Sequence, residues 1–507
     1  MWESIVNVVT KVNAFINNIV WGWPMIVLIL GTGILLTIRT KFMQVHKFGY
    51  SLKTTIVPTV KAIGRGKDKQ KDTKVNSISQ FEAFSAAVSG TIGTGNIIGV
   101  TSAILTGGPG AVFWMWLSAF FGMITNYAEN VLGLFFRKKE KNGDLSGGPM
   151  YYISEGLKWN WLGYIAALFC VLAAIGMSGA QTNKISTTLQ AAFVSDGSSK
   201  VVAIIIGVVV ALFVALIIIG GIKRIGRVAS ILVPFMSLLF IILALILIFI
   251  HIDRIGHAFG MIFSSIFSFK AAAGGFGGFV FSQIIKKGLA RGVFSNEAGL
   301  GSSVIAHSAS ATREPVKQGL WGIFEVFLDT FVVCTLTALV ILTSYNEEQL
   351  FGVQAISDTA AAMNAFSNVF GTFGTVVFSI ILPLFAFTTI LAWSYYGEKC
   401  VEFLFRRAGQ KGKKVAVLVF KVIYVLLIVA SAVIDGELAW AISDTCNGLM
   451  AIPNLVALVL LSGLVVKITK NYFDRKNGKD VEPMLSAYPE LNEEFKKDIQ
   501  NNNELMI

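Results

Sequence analysis

Apolar runs recur along this chain, separated by short polar segments that are often basic. A run of about 20 apolar residues is long enough to cross roughly 30 Å of hydrocarbon. Taken in order, the runs predict eleven spans, near 19–38, 78–105, 111–136, 161–192, 201–222, 228–250, 271–310, 318–342, 372–396, 415–434 and 438–466. The basic, weakly amphipathic stretch 42–74 is expected to lie at the cytoplasmic interface. The charged, asparagine-rich tail from Lys467 is expected to be disordered or a short surface helix.

Two of these runs are interrupted. The second contains Ser89-Gly90-Thr91-Ile92-Gly93-Thr94-Gly95-Asn96. The seventh contains Phe294-Ser295-Asn296-Glu297-Ala298-Gly299-Leu300-Gly301-Ser302-Ser303. Each glycine costs about 1 kcal/mol of helix propensity relative to alanine. Loosened backbone survives at membrane depth only where it lines a protein cavity. Glycines also let helices pack closely, but the asparagine and threonines add ligand oxygens that packing does not need. The two interruptions open two sets of five spans, two to six and seven to eleven. An odd number per set inserts the second upside-down relative to the first, and paired interruptions at corresponding places point to a transporter binding site. The expected fold is therefore an all-α polytopic membrane protein with an inverted 5+5 repeat and one extra N-terminal helix. Its parts are 1–77 (first span and basic segment), 78–260 (first repeat), 261–466 (second repeat) and 467–507 (tail).

Composition agrees: 54% of residues are hydrophobic and 14% charged, against about 25% charged in a soluble domain. The net charge of +12 would suit an anionic partner, so its placement decides its meaning. With the N-terminus outside, the loops that fall inside and the tail carry 33 of the 42 Lys and Arg. That bias predicts a cytoplasmic C-terminus in a multi-pass plasma-membrane protein and makes the charge a topology signal, not a nucleic-acid site. Lys286, Lys287 and Arg291 stand apart. They lie either within the membrane, as functional groups, or on an interfacial helix at the outer surface. The four cysteines have neither disulfide nor metal-site spacing. The glycine run Gly93–Gly99 is one residue too long for a dinucleotide fingerprint and sits in a span. No enzymatic cofactor, nucleic acid or obligate protein partner is expected. A channel is disfavoured because its pore usually needs rings from several subunits.

The run from Ser89 to Val100, the motif Gly147-Gly148-Pro149-Met150-Tyr151-Tyr152 and the run from Gly292 to Ser302 together resemble the bacterial and archaeal alanine/glycine:cation symporter family. That resemblance implies a LeuT-like fold moving small amino acids with sodium as coupling ion. A carboxylate wants N–H donors and positive helix ends, while an ammonium wants carbonyls and hydroxyls. Gly93, Thr94, Gly95 and Asn96 are the expected wall on one side, with Phe294, Ser295 and Asn296 on the other. Phe294 would cap the substrate side chain and limit it to alanine or glycine size. The resemblance suggests that Gln181 contacts substrate; the alternative is an interhelical packing amide. Trp393 is a candidate for the pocket floor or an ordinary core aromatic. Thr388 and Thr389, facing carbonyls near Val88, Ser89 and Thr91, resemble the sodium site that such folds keep. Each threonine can instead bond its own backbone one turn earlier.

Among the carboxylates, Glu325 and Asp329 share a helical face that can relay protons or pair with a lysine across the bundle. Glu297 can cap the seventh helix or pair with Arg291. His307 is a titratable or a structural imidazole. A proton-coupled carrier of another small solute, using Glu325, Asp329 or Glu297, is the alternative to sodium symport.

Overall fold

The computed structural model describes residues 2–64, 77–140, 143–194, 199–267, 277–351, 356–434 and 436–502. Part of the basic loop (65–76), Lys270 and Asp435, all used in assigning the topology, lie outside these. Among the described residues, eight helices are long and apolar enough to cross a membrane by length and composition. Two further pairs qualify together across a bend: Asn7–Val20 with Trp23–Arg39 at 41°, and Gln80–Thr91 with Thr94–Gly107 at 57°. The seventh span consists of Gly277–Asn296 and the short helix Ser303–His307. Among the described residues the only paired strands are Lys138–Lys139 and Leu145–Ser146, a two-rung hairpin after the third span.

The second span starts at a capping box: Glu82 N donates to Ser79 Oγ (3.1 Å) and Ser79 N to Glu82 Oε2 (2.9 Å). Its first half ends at Thr91, where Ile92 leaves helical geometry and Gly93 is extended (φ −127°, ψ −156°). The interruption in the seventh span uses positive φ at Glu297 (55°), Gly299 (95°) and Gly301 (76°). Only glycine takes that region without strain, so Glu297 is held there by its neighbours. The eighth span widens into a π turn over Phe327–Cys334, a local form common at functional sites. The ninth, Asp358–Leu404, is two helices joined at Gly371 (φ 59°, ψ −142°).

Besides the longer ninth span, two boundaries differ from expectation, and the tail takes the helical of its two expected forms. A helix, Trp2–Val20, precedes the first span and is tied to the eleventh by Trp21 Nε1 donating to the Asp444 carbonyl and Asn17 Nδ2 to Thr445 Oγ1, each at 3.0 Å. Its polar residues keep it from reading as an apolar run. The eleventh span continues to Lys476. The tail forms a helix, Pro489–Asn502, whose Leu491, Phe495 and Ile499 are buried with Leu145 and Leu485; that i, i+4, i+8 stripe packs against the protein.

At one end of the bundle the two broken spans meet. Ile78 N donates to the Ala309 carbonyl (3.2 Å) and Ala311 N to the Ile78 carbonyl (2.7 Å). The Gly147-Gly148 motif packs here as well. A Cβ at Gly147 would fall 2.4 Å from Ser308 Oγ and 2.6 Å from the Gly133 carbonyl, so only glycine fits.

Candidate functional site

Both interruptions are buried and converge on Asp329. Asn96 Nδ2 donates to Asp329 Oδ1 (2.5 Å), while Ser295 Oγ and Thr330 Oγ1 donate to Oδ2 (2.9 and 2.8 Å). Asn96 Oδ1 accepts from Gly93 N (2.9 Å), pairing an N–H that the broken helix leaves free. One asparagine thus closes its own turn and reaches across to the eighth span. Gln181 Oε1 accepts from Thr94 N (3.3 Å) and Thr94 Oγ1 (2.9 Å), so the fourth span holds the same turn from the other side. Gly95 lies against the Phe294 ring, which a Cβ there would meet at 3.4 Å.

Phe294 is itself covered. Its ring centroid lies 5.0 Å from that of Trp440. The Arg291 guanidinium sits over both rings, 5.6 Å from Phe294 and 5.4 Å from Trp440. Arg291 Nη1 is 3.7 Å from Asp444 Oδ1, and neither atom makes a hydrogen bond among the described residues. The Gly277–Asn296 helix packs along the third span through Gly288, beside the Ala111 carbonyl and Trp114, and Gly292, beside Ser118. It is therefore packed as part of the bundle. Lys287 is half-buried beside Gly107, and Lys286 is also half-buried.

The other candidates divide. Asn296 turns away from Asn96: its amide donates to Thr330 Oγ1 (3.1 Å) and its oxygen accepts from Ala298 N (3.1 Å). Trp393 is buried and donates to Glu297 Oε1 (2.9 Å), and Ser302 Oγ donates to Glu297 Oε2. Glu297 thus braces the interruption from inside, while Arg291 pairs elsewhere. Glu325 pairs with His307 (2.7 Å) and not with a lysine; Gln318 Nε2 donates to His307 Nδ1 (2.6 Å), which leaves the Nε2 proton for Glu325.

Thr388 and Thr389 both donate to the Phe385 carbonyl at 3.0 Å, one turn earlier. Ser89 Oγ donates to the Ala86 carbonyl and Thr91 Oγ1 to the Val88 carbonyl. Each hydroxyl keeps lone pairs for a cation. The second and ninth spans press together here. A Cβ at Gly93 would lie 2.5 Å from Thr389 Oγ1, and one at Gly90 would lie 2.7 Å from Tyr396 Oη.

The site also recruits residues that the motifs did not single out. Asp329 was legible as a candidate proton-relay carboxylate beside Glu325, but not as the point where the two interruptions meet. Trp440 and Asp444 lie outside both interruptions, and nothing in their local sequence marks them. Glu129 Oε1 accepts from Gly299 N (3.0 Å) and Asn454 Nδ2 (2.5 Å), and so ties the third and eleventh spans to the seventh.

This geometry can be set beside known proteins. The model of the sodium:alanine symporter family matches residues 6–486. The sodium/alanine symporter AgcS of Methanococcus maripaludis is 43% identical over 468 residues, covering 91% of this chain and 97% of that one. An uncharacterized transporter of Haemophilus influenzae is 40% identical, covering 91% and 95%. The crystal structure of MhsT in complex with L-phenylalanine superposes with a TM-score of 0.56 at 14% identity, over 78% of this chain and 98% of that one. That likeness shows a shared LeuT-like helical fold. The relatives are transporters, not enzymes, and the chain, a multi-pass membrane transporter, belongs to the sodium:alanine symporter family.

Proposed function

We propose that this transporter carries a small neutral amino acid, of alanine or glycine size, into the cell together with sodium, by alternating access between two inverted five-helix repeats (78–260 and 261–466). The observation that carries this reading is the joint closure of both unwound segments: Gln181 and Asn96 hold the first, Ser295 is tied to the same Asp329, and Phe294 lies against Gly95. The substrate carboxylate would compete with Asn96 Oδ1 and Gln181 Oε1 for the N–H groups of Gly93 and Thr94, and its ammonium would take the carbonyls and hydroxyl of 294–295. Phe294, packed against Trp440, would limit the substrate side chain to about the size of a methyl group. The name of the archaeal relative supports alanine.

Sodium would lie where the second span meets the ninth, among the carbonyls of Val88, Ser89 and Thr91 and the hydroxyls of Thr388 and Thr389. The N-terminus would be outside and the C-terminus cytoplasmic, by the excess of Lys and Arg in the inner loops.

A proton-coupled reading has one observation in its favour. Asp329, Glu297 and Glu129 are buried and make no ion pair with a basic residue among the described residues. Buried carboxylates without a counter-charge hold a proton or a cation. Uptake of labelled alanine into proteoliposomes tests both readings. Accumulation driven by an inward sodium gradient at clamped pH supports sodium symport. Accumulation driven by a proton gradient alone overturns it in favour of the carboxylates, and no uptake under either gradient overturns the substrate.

A further inference from the structure

The tail helix Pro489–Asn502 is fastened to the end of the bundle where the two broken spans meet. Phe495, 1% exposed, lies between two buried arginines, with its ring centroid 5.1 Å from the guanidinium carbon of Arg137 and 5.0 Å from that of Arg313. Arg313 Nε donates to Asp498 on the tail (2.9 Å), and Lys139 pairs with Glu494. Ala487 N donates to the Phe135 carbonyl (2.8 Å), closing the connection to the third span.

Beneath the ring, Arg137 makes no ion pair among the described residues. It donates instead to the carbonyls of Ser308 (3.3 Å), Ser310 (2.7 Å) and Thr312. Those carbonyls belong to the segment that leaves the seventh span and bridges to Ile78 at the start of the second. Burial and the like charge of Arg313 pull the Arg137 guanidinium down to about 9. Two neighbouring cations therefore depend on Phe495 and Asp498 for cover and counter-charge.

We propose that the C-terminal helix is a latch: by seating Phe495 on Arg137 and Arg313, it holds the inner ends of both broken spans together and restrains opening of the transport site on that side. This rests on the cytoplasmic placement of the tail argued above, but on neither the identity of the substrate nor that of the coupling ion. Since Arg137 grips residues 308–312, lifting the ring re-exposes its guanidinium to water and weakens its hold on the bridge to Ile78. An allosteric element of this kind shifts populations through its differential contacts alone.

The test uses the full chain in proteoliposomes. A cysteine reporter, Ala311→Cys, is labelled by a membrane-impermeant maleimide, with and without Phe495→Ala or the half-exposed, milder Asp498→Lys. Both tail variants are expected to raise the labelling rate at least about fivefold, the lower end of ordinary allosteric coupling. They are also expected to speed substrate entry at unchanged half-saturating concentration. Unchanged labelling in folded Asp498→Lys protein overturns the latch. Labelling from the outer face alone overturns the topology, whereas faster labelling in the tail variants of a protein whose unmodified form takes up no alanine overturns only the substrate. A second variant guards against misfolding: Leu145→Cys with Ile499→Cys, oxidised by copper phenanthroline, is expected to stop turnover until thiol is added. Native turnover in the cross-linked protein overturns the proposal.

Discussion

Asn96 Nδ2 stands 2.5 Å from Asp329 Oδ1, and the same carboxylate accepts from Ser295 Oγ. The two unwound segments, 199 positions apart between these residues, are thereby closed through one side chain of a third helix. Removing the Asp329 carboxylate would leave Asn96 Nδ2 and Ser295 Oγ with weak contacts such as those to Cys334 Sγ and take the acceptor from Thr330 Oγ1, and each poorly satisfied buried group costs about 1–3 kcal/mol. Asp329→Ala is expected to reduce sodium-driven uptake at least about tenfold and to lower Tm. Asp329→Asn keeps an acceptor oxygen and is expected to lose less of both. Uptake at native level in Asp329→Ala removes the residue from the mechanism.

Gly93 has no room for a methyl group beside Thr389. Gly93→Ala would place a Cβ 2.5 Å from Thr389 Oγ1, on a side chain fully buried in the ninth span. Overpacking of this kind costs about 1–3 kcal/mol. Melting curves should show Gly93→Ala destabilised and Gly93→Ala/Thr389→Ala partly restored, because the second change vacates the contact. Uptake should stay low in the double variant, which has lost a proposed sodium ligand.

The sodium proposal separates from the substrate proposal in kinetics. Thr388→Ala and Thr389→Ala each remove one hydroxyl and leave the Phe385 carbonyl without that donor. Losing one ligand oxygen worth about 1.4 kcal/mol raises the half-saturating sodium concentration about tenfold. At saturating sodium, the alanine concentration for half-maximal uptake should move little. An unchanged sodium dependence in both variants relocates the ion.

Arg291 and Asp444 close over Phe294 without a hydrogen bond, at 3.7 Å and with 11% and 16% of their side chains exposed. Breaking a partly buried pair leaves one charge poorly compensated, a loss of at least about 1 kcal/mol and up to 3–5 kcal/mol if fully buried. Asp444→Ala should weaken substrate retention, measured as faster release of bound alanine. Arg291→Asp/Asp444→Arg should recover part of the loss. Release rates identical in all three proteins exclude the pair from closure.

Much of the architecture was legible in the sequence. Apolar length located most of the spans, since bilayer thickness and helix rise leave little freedom. Local chemistry pointed to both breaks: glycine with threonine and asparagine at Gly93–Asn96, and the glycine-rich Glu297–Gly301, suit a ligand-lining break better than close helix packing alone. The packing of the tail helix, and the helix before the first span, were not read, because hydropathy detects burial in lipid, whereas Phe495 and Trp21 are buried against protein.

Tertiary structure decided the partners. Asn96 and Asn296 are equivalent choices on paper, yet one reaches Asp329 and the other is taken up by Thr330 and its own turn. Glu297 and Arg291 are six residues apart, but a backbone turn at φ 55° sends the carboxylate to Trp393 while the arginine meets Asp444. Membrane thickness and backbone hydrogen bonding constrain a chain one residue at a time, so they can be read from sequence. Which oxygen meets which donor depends on the rotation and register of helices far apart in the chain, and packing alone sets those.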